Sequence, residues 1–421
     1  MHKMKNMPYH MGLQCKLYLS NRSKYLVAVN DGASRYVYNH LVATGNEIYR
    51  LKKSASCSLW DTERIDYLES ARDGSRGIKN SAPFLYCDEI DSAAVDNAIR
   101  NYKAAWKNMK ERHTGVPTFH KKSECQSYQT SNHYTGKSTH MNDGSIYFMG
   151  NKHIRLPLLG KVRIGVSKKL LKALLEHADL YETRIGTVTI SRDAVGEYWV
   201  SIQVASMHPF KEELPKTGSI IGIDLNLENF LTDSNNCVID NPHYLKNTEP
   251  LIKEQQRILS RKAERAKQEK RPLCESKNYQ KQRKKLAYTH RKVARQRAEF
   301  HHVLAKDMVE SQDLIVAEDL KVRNLKKNHK LAKAISDAGW RSFLTILGQK
   351  ASTYGKELAL VDPRNTTQTC SNCGYKLTDD EKLTLSDREW ICPSCGTHHL
   401  RDHNAAINIL NRYLATTADK M

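Results

Sequence analysis

Two Cys-x-x-C knuckles near the C-terminus constrain this chain more than any other feature: Cys370-Ser371-Asn372-Cys373 and Cys392-Pro393-Ser394-Cys395. Each knuckle places two sulfurs on one tight turn. The pair, separated by 18 residues, supplies the four thiolates of a tetrahedral zinc site. Gly374 and Gly396 follow the knuckles, where the chain must turn sharply. Four cysteines leave no open coordination position, so the zinc is structural, and His398 and His399 are surplus to it. A redox dithiol would need only one knuckle. Soon after the second knuckle, Arg401-Asp402-His403-Asn404-Ala405-Ala406 opens a helix with an acid in its first turn.

Asp402 needs partners if it is to do more than cap that helix, which is what an Asp at a helix start ordinarily does. Two candidates lie upstream. Asp224 sits mid-strand in Ile220-Ile221-Gly222-Ile223-Asp224-Leu225, and Glu318 ends Leu314-Ile315-Val316-Ala317-Glu318. A lone carboxylate in an apolar strand is costly unless something pairs with it. If the two strands are parallel neighbours and the helix packs against them, Asp224, Glu318 and Asp402 converge. Three such carboxylates can hold two Mg²⁺ ions about 3.5–4 Å apart, one activating a water and one stabilising the leaving oxygen. That is nuclease chemistry.

Composition agrees. The 421 residues, enough for two to four domains, include 67 Lys or Arg against 46 acids, a net charge of +21, which favours a polyanionic partner. Charge alone leaves a generic RNA-associated protein open. No apolar run is long enough for a membrane span and no signal peptide is evident, so we expect no membrane partner and a cytoplasmic, nucleoid-associated chain. Of the ten cysteines, Cys15, Cys57, Cys87, Cys125, Cys237 and Cys274 are scattered, as unpaired thiols in a reducing interior are.

Hydrophobic periodicity divides the chain. Residues 13–19 read as a strand, and 20–112 are helical, with Tyr36, Val37, His40, Leu41 and Val42 at turn spacing. Alternating strands then follow to residue 205, interrupted by a helix at 168–177, which suggests a small barrel with a helical domain inserted after its first strand. From Ser219 onward short strands and helices alternate in the manner of an α/β core resembling RNase H. Residues 253–297 carry 17 Lys or Arg and only four Glu. Ile258, Leu286 and Val293 give them a thin apolar stripe, which predicts two long helices broken near Pro272 and presenting a nucleic-acid face rather than a merely solvated one. Lys281, Arg283, Lys284, Lys285, Arg291, Lys292 and Arg295 are its candidate contacts.

The sequence resembles the transposon-encoded TnpB proteins and the compact type V CRISPR effectors similar to them, over nearly its whole length. Gly32-Ala33-Ser34-Arg35-Tyr36-Val37-Tyr38-Asn39-His40, Gly115-Val116-Pro117-Thr118-Phe119 and Ile154-Arg155-Leu156-Pro157-Leu158-Leu159-Gly160 resemble the early motifs of that family. Gly222-Ile223-Asp224, Ala317-Glu318-Asp319-Leu320, Ser336-Asp337-Ala338-Gly339-Trp340, Thr366-Thr367-Gln368-Thr369-Cys370 and the Arg401–Ala406 motif resemble its nuclease domain. The resemblance implies an α+β multidomain chain: a wedge-like β-barrel (1–19 and 116–212), a helical REC-like insertion (20–115), an RNase H-like RuvC nuclease domain (213–366 and 398–421) and a zinc-ribbon target-nucleic-acid-binding insertion (367–397). It implies that Asp224, Glu318 and Asp402 are the catalytic acids and magnesium ligands, and that Cys370, Cys373, Cys392 and Cys395 bind zinc. It also implies a noncoding guide RNA, a double-stranded DNA target flanked by a short motif, and an RNA-guided endonuclease activity, in a monomer or homodimer. Arg35, Tyr36, Tyr38 and Asn39 are candidates for contact near that motif, although tyrosines at such spacing more often face a core.

Two departures stand out. Leu400 occupies a place where relatives often have an acid, and Asn226 one where they often have Gly; neither is an expected metal ligand. A catalytically idle RNA-guided DNA-binding protein would have lost acids that this chain keeps. A transposase can use the same three acids, but a ribbon placed just before the last one favours the TnpB arrangement.

Overall fold

The computed structural model describes residues 2–53, 59–72, 75–123, 125–384 and 386–418; Cys57 lies outside them. The chain forms two compact units, Met1–Phe210 and Lys211–Met421.

In the first unit the order is β1 (Tyr9–Tyr18), α1 (Asn21–Lys53), α2 (Leu59–Arg72), α3 (Ser75–Ser81), α4 (Ser92–Arg112), β2 (Ser127–Ser131), β3 (Tyr147–Met149), β4 (His153–Leu156), β5 (Gly160–Gly165), α5 (Lys168–Leu180), β6 (Thr183–Arg192) and β7 (Tyr198–Ser206). All seven strands join one antiparallel sheet in the order β2-β6-β7-β1-β5-β4-β3. Strand β1 begins earlier than its apolar run because β7 pairs with it from Tyr9 to Leu17. Alternation sends Leu13, Cys15 and Leu17 into the core. The sheet is not a closed barrel, since β2 and β3 end it as two edges. It curls enough to bring those edges close: the Asn132 side chain accepts from Ile146 N at 2.7 Å and donates to Ile146 O at 3.1 Å.

Helices α1 and α4 pack Val37, Leu41 and Val42 against Val95, Ala98 and Ile99. Asp91 caps α4 by accepting from Ala93 N at 2.9 Å. Leu26, Val27 and Ala94 belong to the core of the sheet. The helical region thus has a core of its own and also lends three residues to the core of the sheet.

The second unit runs β8 (Ile220–Leu225), β9 (Asn229–Asp233), β10 (Val238–Asp240), α6 (Tyr244–Gln268), α7 (Lys277–Ser311), β11 (Leu314–Glu318), α8 (Val322–Leu325), α9 (His329–Ala338), α10 (Trp340–Thr353), β12 (Glu357–Val361), β13 (Glu389–Ile391), β14 (His398–Leu400) and α11 (Arg401–Ala418). Its five-stranded sheet has the order β10-β9-β8-β11-β12, antiparallel from β10 to β8 and parallel from β8 to β12.

The two faces of this sheet are set by the period of two. Ile221, Ile223 and Leu225 of β8, with Ile315 and Ala317 of β11, enter one core with Ala305, Val309, Phe343 and Leu347 of α7 and α10. The intervening residues Gly222, Asp224, Val316 and Glu318 share the opposite face, where Val316 packs with Ile409 of α11. Gly222 is what permits the close approach of that helix: a Cβ there would stand 2.2 Å from the carbonyl oxygen of Ala406. Among the described residues no helix is long and apolar enough to cross a membrane.

Candidate active site and metal centre

Because β8 and β11 are parallel with Ile223 opposite Ala317, Asp224 and Glu318 come next in register on the face that α11 covers. Asp402 is the second residue of α11. Asp224 and Glu318 are 7% and 8% exposed, so neither is a solvated surface acid. Burial, then the negative charges of Glu318 and Asp402, raise the Asp224 pKa well above the carboxylate range. Burial also raises that of Glu318, against a hydrogen bond from Thr366 and the charge of Arg412. A buried acid whose proton affinity is raised by two neighbouring carboxylates belongs to a donor set suited to a hard divalent cation.

The contacts of three groups around these acids leave no local signal in the sequence. The Thr366 hydroxyl, fully inside, donates to Glu318 Oε1 at 2.6 Å. Arg401 brackets Asp402 Oδ1 from Nε at 3.1 Å and Nη2 at 3.0 Å, while its Nη1 donates to the carbonyls of Thr384 and Asp387. Arg388 reaches Asp402 Oδ2 at 3.9 Å and pairs with Glu228. The Asn226 side chain supports the charged form of Asp224 by hydrogen bonding. The departure to Asn at that position thus adds a donor beside the first acid. Leu400 is exposed on β14.

The four cysteines form the tighter cluster. Their sulfurs all lie within 4.8 Å of one another, with Cys370–Cys395 at 3.7 Å and Cys373–Cys392 at 3.6 Å. A tetrahedral zinc with bonds of about 2.3 Å sets its sulfurs about 3.8 Å apart, so the arrangement fits. The two knuckles repeat one geometry: Gly374 N donates to Cys370 O and Gly396 N to Cys392 O, both at 2.9 Å. Both glycines have φ near +70°, at 75° and 70°, a conformation that favours glycine. Beneath them lie Leu377 and Trp390. His399 is not simply surplus. Its ring tilts against Trp390 at 4.8 Å and its Nε2 is 3.0 Å from Cys370 Sγ. Burial pushes the Cys370 thiol up to about 12, whereas hydrogen bonds from Thr397 bring Cys395 down to about 6. Among the other described cysteines, Cys15 is buried and Cys87, Cys125, Cys237 and Cys274 are exposed, all unpaired.

The nucleic-acid candidates divide. On α1, Tyr38 is buried with its ring stacked on His120 at 4.0 Å. Asn39 donates to His120 O at 2.9 Å and accepts from His120 N at 2.7 Å. Both side chains dock the segment before β2 onto the helix. Arg35 pairs with Asp31 at 3.5 Å, and Tyr36 is exposed, its ring edge-on to Phe84 at 5.0 Å. On α7, Lys281, Lys284, Lys285, Lys292 and Arg295 are exposed along one helical stripe, with Arg291 half-buried beside it and Arg283 half-buried on another side of the helix. The opposite side of α7 packs Val293 toward α6, helped by two buried glutamines: Gln282 Nε2 donates to Gln255 O at 3.3 Å.

A mixed sheet with two acids on one face, leading through a four-cysteine ribbon into the helix that bears the third acid, is the layout expected of a nuclease. Comparison with known proteins agrees. Residues 340–409 match the family described as Cas12f1-like, TNB domain, and residues 199–329 match OrfB_IS605, "Probable transposase". The chain is 30% identical over 362 residues to a Streptomyces pristinaespiralis protein named "Putative RNA-guided DNA endonuclease", covering 85% of this chain and 80% of that one. It is 24% identical to InsQ of Escherichia coli K12, which bears the same name, covering 90% and 86% of the two chains. A Cas12f1 chain solved with its single-guide RNA and target DNA shares the fold, at 13% identity and a TM-score of 0.55 over 95% of this chain and 98% of that one. The chain belongs to the RNA-guided DNA endonuclease family that includes the TnpB proteins.

Proposed function

We propose that this protein binds a noncoding guide RNA and cleaves double-stranded DNA that pairs with it, through a RuvC-type centre formed by Asp224, Glu318 and Asp402. The observation that carries the reading is the burial of two acids from parallel neighbouring strands on the face covered by the helix of the third. Two divalent cations, Mg²⁺ on this reading, would activate water and neutralise the leaving oxygen when bound. The chain's own part is to hold three carboxylates, two of them buried, between the sheet and α11, with Arg388 and Arg401 at hand to balance charge around Asp402. A structural zinc held by Cys370, Cys373, Cys392 and Cys395 staples the ribbon, which we assign to target-nucleic-acid contact. The curled sheet of the first unit and its helices take the wedge-like and REC-like roles, with Arg35 and Tyr36 as surface candidates. The exposed stripe of α7 offers a duplex backbone a row of positive charge, consistent with a protein that leaves sequence reading to base pairing.

The test uses the full chain expressed from its native locus. RNA that copurifies with it is sequenced, and DNA complementary to that RNA is offered with Mg²⁺. Wild type cuts it; Asp224→Ala binds both RNA and target but does not cut. Cleavage by Asp224→Ala at the wild-type rate would remove Asp224 from the site, and absence of any specific RNA would remove guidance.

A further inference from the structure

Glu318 and Asp402 reach the site from different elements, a strand and a helix 84 residues further along the chain, and something must set one against the other. The segment 366–371 touches Glu318 and the helix that bears Asp402. Thr366, 2% exposed, donates from Oγ1 to Glu318 Oε1 at 2.6 Å. That is the side-chain hydrogen bond given to the Glu318 carboxylate among the described residues, and it leaves Oε2 without one. The segment itself is held by two asparagines one turn apart on α11. Asn408 Nδ2 donates to the carbonyls of Thr366 at 2.8 Å and Thr369 at 2.6 Å. Asn404 Nδ2 donates to Thr369 O at 2.8 Å, and Asn404 Oδ1 accepts from Ser371 N at 2.9 Å. Asn404 is 1% exposed and lies two residues after Asp402. The same segment holds Cys370, the first cysteine of the ribbon.

We infer that Thr366 is a positioning residue for Glu318, and that Asn404 and Asn408 carry its alignment from α11, so that one hydrogen-bonded strap registers Glu318 against Asp402 and ties both to the ribbon. The inference rests on the proposed role of the three acids. A carboxylate with one oxygen fixed by a hydroxyl presents the other in a single direction. A carboxylate on a free rotamer must lose that freedom when it takes up a cation. Partners of this kind, one bond removed from a metal, typically change metal affinity or activity by about 10–100-fold when removed.

Thr366→Val keeps the shape and removes the donor; Thr366→Ser keeps the donor. With full-length protein, its guide RNA and target DNA, Thr366→Val is expected to raise the Mg²⁺ concentration for half-maximal cleavage by about 10-fold, with target binding unchanged. Thr366→Ser returns it to the wild-type value. Asn408→Ala, at a half-buried position, moves it in the same direction through the strap alone, which decides the matter should Thr366→Val fold poorly. A readout apart from cleavage is the shift in melting temperature that Mn²⁺ produces in the RNA-free chain, which shrinks in Thr366→Val and Asn408→Ala. Wild-type metal dependence in both variants overturns the strap. Full cleavage by Glu318→Gln would overturn the reading of the acids instead, so the two failures are distinguishable.

Discussion

Asp224 is held inside the protein by its neighbours on β8, and its charge is the cost of that position. Burial and the nearby acids keep its proton on to a higher pH than in the unfolded chain. As pH rises from the unfolded pKa to the folded one, the unfolded chain releases a proton that the folded chain retains, and folding stability falls. An uncharged isostere escapes that penalty. At neutral pH without divalent cations, Asp224→Asn is expected to melt above the wild type, by about 2–4 °C for each kcal/mol recovered in a unit of this size. The gap should narrow as pH falls to about 4, where the unfolded acid also keeps its proton. Differential scanning calorimetry across that range checks it; an equal or lower melting point at neutral pH contradicts the burial argument. Active-site groups often sit at such an expense of stability.

Among the elements, α7 is the clearest case of one helix with two jobs. Its inner side meets α6 through Val293 and a buried glutamine pair. Its outer stripe repeats Lys281, Lys284, Lys285 and Lys292 at helical spacing. Neutralising Lys281, Arg283, Lys284 and Lys285 together should weaken guide-RNA or target affinity and flatten its dependence on salt, by about one unit of log–log slope for each phosphate that the variant no longer neutralises. Titrations at several salt concentrations compare the two proteins. Identical slopes would make the stripe a solvated face.

At the scale of the molecule, the ribbon is tied to the second unit's sheet and α11 on both sides of its insertion: Thr366 bonds to Glu318 and Ser371 to Asn404 where the chain goes in, and Arg401 of α11 holds the ribbon carbonyls of Thr384 and Asp387 where it returns. Removal of zinc should therefore reach the acids. The full chain is expected to hold about one zinc, as a single four-thiolate site requires, and Cys392→Ser or exhaustive chelation should depress both folding stability and DNA cleavage. Elemental analysis with a cleavage assay tests this. A chain without zinc that folds and cuts normally would separate ribbon from active site. Sequence alone determined much of this molecule. Continuous apolar runs marked β8 and β11, knuckle spacing marked the four sulfurs, and a carboxylate within or ending such a run marked two acids, because each is a pattern within a few residues. Tertiary structure alone decided that the sheet of the first unit stays open, that Tyr38 and Asn39 serve a segment about 80 residues away (81 for Asn39), and that Gly222 exists to admit α11. It also joined Thr366 to Glu318 across 48 positions. A hydrogen bond between distant residues leaves no local period or composition, so only the packing of strand, helix and ribbon brings its two ends into view.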